Sequence, residues 1–183
     1  MPEMMTRGRQ GNLKALVPVA LTAMSICFST VAQGHEPAGL PPLQGPPVLE
    51  VQGAITRGNS DGVARFDIEM LKALPPVRLE TTTAVTDGVR QFDGFLMGDL
   101  LDLVGAQGST ITARALNDYA IDIDIAEFAR FGVIVAYQMD GKPLLPSDKG
   151  PLWIVYPRDQ HAELRDIRYD YRWVWQLRWL DIE

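Results

Sequence analysis

The chain has one cysteine, Cys27, and two histidines, His35 and His161. No H-E-x-x-H, paired-histidine or clustered-cysteine pattern can be assembled from so few, which argues against zinc and haem. No G-x-S-x-G and no Ser/His/Asp arrangement is present, so nucleophile–base catalysis lacks its parts. Glycine-rich phosphate loops are also missing. Acidic side chains outnumber basic ones, 23 to 17, for a net charge of −6, and the basic residues form no run. That balance disfavours nucleic acid and anionic lipid as partners. Asp122 and Asp124, the nearest thing to a calcium motif, alternate with isoleucine in I-D-I-D, which reads as the solvated face of a strand.

What is present begins with an export layout. Arg7, Arg9 and Lys14 form a basic start, and Ala15 to Ala32 carries no charge and is mainly apolar. Ala32 and Gly34 are small residues at cleavage positions, so residues 1–34 read as a secretory signal peptide. The apolar run is short for a membrane span of about 20 residues, and Pro18 interrupts it. Ile26 precedes Cys27, where a lipobox needs a small residue. Gly8 separates Arg7 from Arg9, so a twin-arginine signal is not supported. The expectation is a periplasmic protein, not inserted in the membrane after cleavage and without a thiol or disulfide. Residues 35–47, HEPAGLPPLQGPP, read as a Pro/Gly-rich leader, and residues 48–183 as one domain.

Within that domain the patterning predicts strands over 48–55, 62–67 and 77–84, a short extended piece over 91–95, and further strands over 109–116, 120–125, 132–139 and 152–156. Short helices are predicted over 68–74, capped by Asp67, over 98–105, ended by Gly105, and over 124–130. Residues 157–169 read as a polar loop, and the aromatic tail as closing on a strand. The sum is a mixed, strand-dominated α+β fold with short helices.

The order of several segments is informative as a set. They are the strand ending in Thr81-Thr82-Thr83, then F-D-G-F-L-M-G-D-L-L-D-L-V-G-A from Phe92, A-L-N-D-Y from Ala115 and V-A-Y-Q-M-D-G-K-P-L from Val135. D-K-G-P-L-W-I-V-Y-P from Asp148 and W-V-W-Q-L-R-W-L-D-I from Trp173 complete it. In this order and spacing, from about Val77 to Ile182, the chain resembles the molybdopterin-binding domain of the sulfite oxidase family. The resemblance implies that fold and a pterin-type ligand. In the family a cysteine thiolate after the early strand binds molybdenum; here threonines follow, and a hydroxyl is a poor substitute for that soft ligand. Where the family's closing segment has a lysine, this chain has Trp175, which offers a stacking face and no charge. The chain is therefore most similar to a cysteine-less, periplasmic branch of pterin-binding regulators. That similarity implies a reduced pterin as ligand, no molybdenum and no catalysis. It also implies a partner: the periplasmic domain of an inner-membrane protein that makes or degrades cyclic di-GMP, in control of biofilm formation.

A flat pterin ring needs aromatic faces and a few fixed polar groups. Asn117 and Asp118 are candidates for its pyrimidine edge, with Asp87 as a second carboxylate. Tyr119, Trp153 and Trp175 are candidates for stacking. Lys149 and Arg172 are candidates for the ring carbonyl or a hydroxylated side chain, and Thr82 marks the position of the missing thiolate. Each has a structural alternative. Asn117-Asp118 and Asp87 suit turns, Lys149 precedes a strand, and Trp153, Trp173 and Trp175 suit a core.

Overall fold

The computed structural model describes residues 39–183; residues 1–34, expected to be a signal peptide, with Cys27, and His35 lie outside the described residues. In chain order the elements are β1 (Leu49–Gly53), β2 (Ala64–Phe66), α1 (Ile68–Lys72), β3 (Pro76–Thr82), β4 (Val89–Leu96), α2 (Met97–Val104), β5 (Thr110–Ala115) and β6 (Ala120–Asp124). They continue with α3 (Ile125–Phe131), β7 (Ile134–Met139), β8 (Lys142–Pro143), β9 (Trp153–Val155), a 3₁₀ turn at Ala162–Arg165, α4 (Ile167–Asp170) and β10 (Leu177–Ile182). The fold is mixed α+β and dominated by strands, as the patterning predicts.

The strands form two sheets. One has the order β2-β1-β10-β5-β6, in which β1 and β10 run parallel and the other pairs antiparallel. The other has the order β3-β4-β7-β8, and β9 also pairs with β7. The two sheets differ in how their strands are buried. In β5, Ile111, Ala113 and Ala115 point inward while their neighbours do not. In β7 and β9, Ile134–Ala136 and Trp153–Val155 are buried without interruption. Strands covered on both faces need such continuous apolar runs. At Gly94, in a bulge of β4, a Cβ would sit 2.2 Å from the Val135 carbonyl oxygen, so only glycine permits that approach.

Helix ends follow their sequence cues. Asp67 Oδ1 accepts the Met70 amide at 2.9 Å, capping α1, and Gly105 ends α2 in the left-handed conformation at φ 62°. Asp67 does more than cap. Its Oδ2 accepts the amides of Gln44 and Gly45 at 2.7 and 3.1 Å, tying the end of the Pro/Gly-rich leader to the domain. These donors, Met70 foremost, hold the Asp67 carboxyl below its usual range.

One expectation is corrected and one is refined. Residues 157–169 are not simply a polar loop, since they contain the 3₁₀ turn and most of α4. Leu164 is fully buried beneath this segment, and Asp166 Oδ1 caps α4 by accepting the Arg168 amide at 3.0 Å. The aromatic tail does close on a strand, β10, but only from Leu177. Trp173 is buried and Trp175 half-buried, and Gln176 has φ 55°, so the chain turns before β10 begins.

Candidate functional site

The turn between β5 and β6, the end of α4 and the irregular stretch before β10 meet around a cavity of about 160 Å³. Asn117, Tyr119, Asp170, Tyr171, Trp173 and Trp175 line it. The turn is held by its own backbone: Ala115 donates to the Tyr119 carbonyl at 2.9 Å, and Asp118 donates to the Ala115 carbonyl at 3.2 Å. Asp118 takes the left-handed position at φ 65°, a conformation that Asn and Asp tolerate better than most residues. Asn117 Oδ1 accepts the Tyr119 amide at 3.2 Å. The Tyr119 hydroxyl donates to the Tyr171 carbonyl at 2.7 Å, joining the turn to the segment after α4. Desolvation, and then the neighbouring Tyr171, hold the Tyr119 phenol above its ordinary value, so it remains a donor at neutral pH. Behind the cavity, Trp153 packs edge-on against Trp173 with ring centroids 6.2 Å apart, and its backbone bridges to Trp175.

The polar atoms in this wall are short of partners. Asp170 Oδ1 and Trp173 Nε1 are buried with no hydrogen bond. Arg158 faces Asp170 with Nη2 3.8 Å from Oδ1, too far for a hydrogen bond, and Arg158 Nε is also buried and unbonded. Leaving such groups unpaired costs on the order of 1–3 kcal/mol each, and buried Arg90 Nε, Trp153 Nε1 and Arg178 Nη1 elsewhere in the domain share this property. Local helix stability does not account for Asp170. It is the last residue of α4, where a carboxylate faces the negative end of the helix.

The end of β3 is built the other way. Thr82 donates its amide to Asp159 Oδ2 at 2.6 Å and its hydroxyl to Oδ1 at 2.8 Å. Asp159 donates its amide to Thr81 Oγ1 at 3.3 Å. Thr83 Oγ1 accepts the amides of Val85 and Thr86 and shares a 2.8 Å hydrogen bond with the Thr86 hydroxyl. The Thr82 amide and hydroxyl hold the Asp159 carboxyl below its usual range. This corner offers no soft ligand, and all three threonine hydroxyls are engaged. No group of three or more His, Cys, Asp or Glu among the described residues is placed to hold a metal ion. The donor set does not fit molybdenum.

The remaining sequence candidates fall elsewhere. Thr82 belongs to the paired corner. Asp87 lies in the β3–β4 turn, where Thr83 makes the stabilising bonds, and Asp118 serves its turn; neither lines the cavity. Lys149 Nζ donates to Asp148 at 2.8 Å and lies 6.0 Å from the centre of the Trp153 ring. Trp153 is fully buried and supports the cavity from behind. Arg172 pairs with Glu127 and lies over the Tyr169 ring at 4.7 Å. Of the nine candidates, Asn117, Tyr119 and Trp175 meet at the cavity.

Asp170, Tyr171 and Trp173 were not singled out by sequence reasoning. Their trace is legible in retrospect: aromatic residues recur at every second position from Tyr169 to Trp175, with an acid among them.

A family model described as "Oxidoreductase molybdopterin binding domain" matches residues 61–162. No curated protein matches the chain.

Proposed function

The chain belongs to the oxidoreductase molybdopterin-binding domain family, and from that premise we propose that it binds a pterin as a regulatory ligand and does no redox chemistry. One observation carries this reading. The threonine hydroxyls at the end of β3 are all engaged, largely with one another and with Asp159, whereas the cavity is walled by aromatic rings, with Asn117, Tyr119 and Trp175 brought together at it. The pterin half of the family's cofactor fits the residues present: aromatic walls from Trp175, Trp173 and Tyr119, with Asn117 and Asp170 as polar residues at the rim. The metal half does not. The cavity is also small beside the roughly 300–1,000 Å³ of pockets that hold drug-sized ligands, which suits a bare bicyclic ring better than a phosphate-bearing cofactor.

In this reading the protein acts in the periplasm and passes its ligand state to the periplasmic domain of an inner-membrane enzyme of cyclic-di-GMP metabolism. Exposed apolar groups near the cavity support a relay by contact. Leu116 is 43 % exposed, Tyr119 40 % and Tyr171 59 %, so a partner covering them would touch residues that also line or flank the ligand.

The test is direct. Protein purified from the periplasm of a molybdate-fed host is extracted with acid, and the extract is assayed for fluorescent pterin and for molybdenum. Calorimetry with tetrahydropterins follows. Pterin with less than a few per cent molybdenum is the expected result. Stoichiometric molybdenum would instead establish an oxidoreductase with an unusual ligand set, and absence of pterin binding would leave a ligand-free adaptor. The relay is tested by ligand-dependent co-purification with the membrane partner's periplasmic domain.

A further inference from the structure

We propose that residues 40–45 of the leader are a displaceable strap: they fill in cis a groove beside α1 that takes an extended Leu/Pro-rich segment of a partner protein in trans. The strap reads L-P-P-L-Q-G and borders a cavity of about 390 Å³. Leu40 and Gln44 line the cavity from the strap, and Phe66, Met70, Leu74 and Leu103 line it from the domain. None of these residues lines the aromatic cavity, so the groove is a second site.

Few groups hold the strap. Pro41 and Pro42 have no amide hydrogen, and an extended proline-rich chain makes no hydrogen bonds of its own. Its polar anchors among the described residues are two side chains of the domain. Asn59 Nδ2 donates to the Pro41 carbonyl at 3.0 Å, and Asp67 Oδ2 accepts the Gln44 and Gly45 amides. Both anchors are fixed independently of the strap. Asn59 exchanges hydrogen bonds of 2.8 and 2.9 Å with the Arg65 main chain, and Asp67 Oδ1 caps α1. Leu40 and Leu43 are half-buried and the rest of the strap is exposed, so its apolar attachment is confined to two side chains. The cavity between strap and α1 lies within the roughly 300–1,000 Å³ of ligand pockets, so the strap under-fills its own groove. The resident segment defines the chemistry of its competitor: two aliphatic side chains separated by two prolines, then two free amides for Asp67. Such a segment is pre-extended and loses little conformational freedom on docking, the property that lets proline-rich segments be recognised in trans.

The experiment has one arm without variants and one with them. Hydrogen exchange on the wild-type protein is expected to show the Gln44 and Gly45 amides exchanging about 100-fold faster than the Leu180 amide of β10, as a locally opening segment does. Strap amides that exchange no faster than those of β10 would overturn the proposal. The second arm measures binding of a fluorescein-labelled peptide, GLPPLQG, to wild-type protein, to Leu40→Ser, and to Leu40→Ser combined with Asp67→Asn. Leu40→Ser loosens the strap and leaves the domain side of the groove intact. It is expected to bind the peptide about tenfold more tightly than wild type, because a larger fraction of the protein is open. Asp67→Asn keeps an acceptor for the Met70 amide but turns a donor towards the peptide amides, so the combined variant is expected to lose the gain. A folded Leu40→Ser that binds the peptide within about twofold of wild type would overturn the proposal, and so would a folded combined variant that binds as Leu40→Ser does. Concentration-dependent dimers without peptide binding would give the groove to the strap of a second copy and overturn the partner reading.

Discussion

The end of β3 and the aromatic cavity are joined through consecutive residues, yet their hydrogen-bond accounts are opposite. Asp159 closes the threonine corner with two acceptors on Thr82 and a donor to Thr81. Arg158, one residue earlier, reaches towards Asp170 in the cavity wall and leaves both groups with unbonded atoms. A corner that satisfies itself has nothing to offer a ligand beyond its shape. The cavity wall is instead mainly aromatic, from Tyr119, Tyr171, Trp173 and Trp175. The same domain thus carries two kinds of surface, and the threonines at the end of β3 serve the structure.

That contrast can be broken most severely at the residue between the two regions. Trp153 packs edge-on against Phe92 at 5.3 Å and against Trp173 at 6.2 Å. Trp153→Ala should cost about 3–5 kcal/mol of stability, read by chemical denaturation, and should lower ligand affinity as the cavity wall collapses. Next comes Trp175, half-buried and on the cavity side. Trp175→Ala should weaken pterin binding by about 10- to 100-fold, the scale of losing an aromatic stacking face, as measured by calorimetry, with a smaller loss of stability than Trp153→Ala.

Thr82→Val sharpens the contrast from the other side. It removes the hydroxyl bond to Asp159 and should cost about 1 kcal/mol in thermal or denaturant unfolding, while pterin affinity stays within about threefold; a collapse of affinity would mean that the corner takes part in binding. The smallest effect is the pH dependence of that corner. The Asp159 carboxyl is held below its usual value by Thr82, so its contribution is present above the unfolded value of about 3.9 and fades as pH falls through the lower folded value. Melting curves from pH 6 to pH 2 should show a steeper acid loss in the wild type than in Thr82→Val.

Much of the fold was legible because its cues are local. The Asp67 cap, the Gly105 stop, the I-D-I-D alternation and the continuous apolar runs of β7 and β9 are each readable within a few residues. The segment from Pro157 to Tyr169 was not, because α4 depends on burial of Leu164 and on the Asp166 cap, and polar composition hides both. The site was legible in part. Asn117, Tyr119 and Trp175 carry side chains suited to a flat ring, and they do meet. Asp87 and Asp118 have equally suitable side chains, but their positions are set by turns, and Arg172 and Lys149 are taken up by Glu127 and Asp148.

By itself, then, the sequence determined what chemistry the described domain could contain: no thiol, few histidines, an excess of acid and a cluster of tryptophans, within a recognisable order of strands. Tertiary structure alone decided which polar groups are already satisfied. Hydrogen-bond pairing depends on distances of about 3 Å between groups far apart in the chain, such as Thr82 with Asp159 or Tyr119 with Tyr171. No local pattern encodes those distances, and they are what separate a sealed corner from an open site.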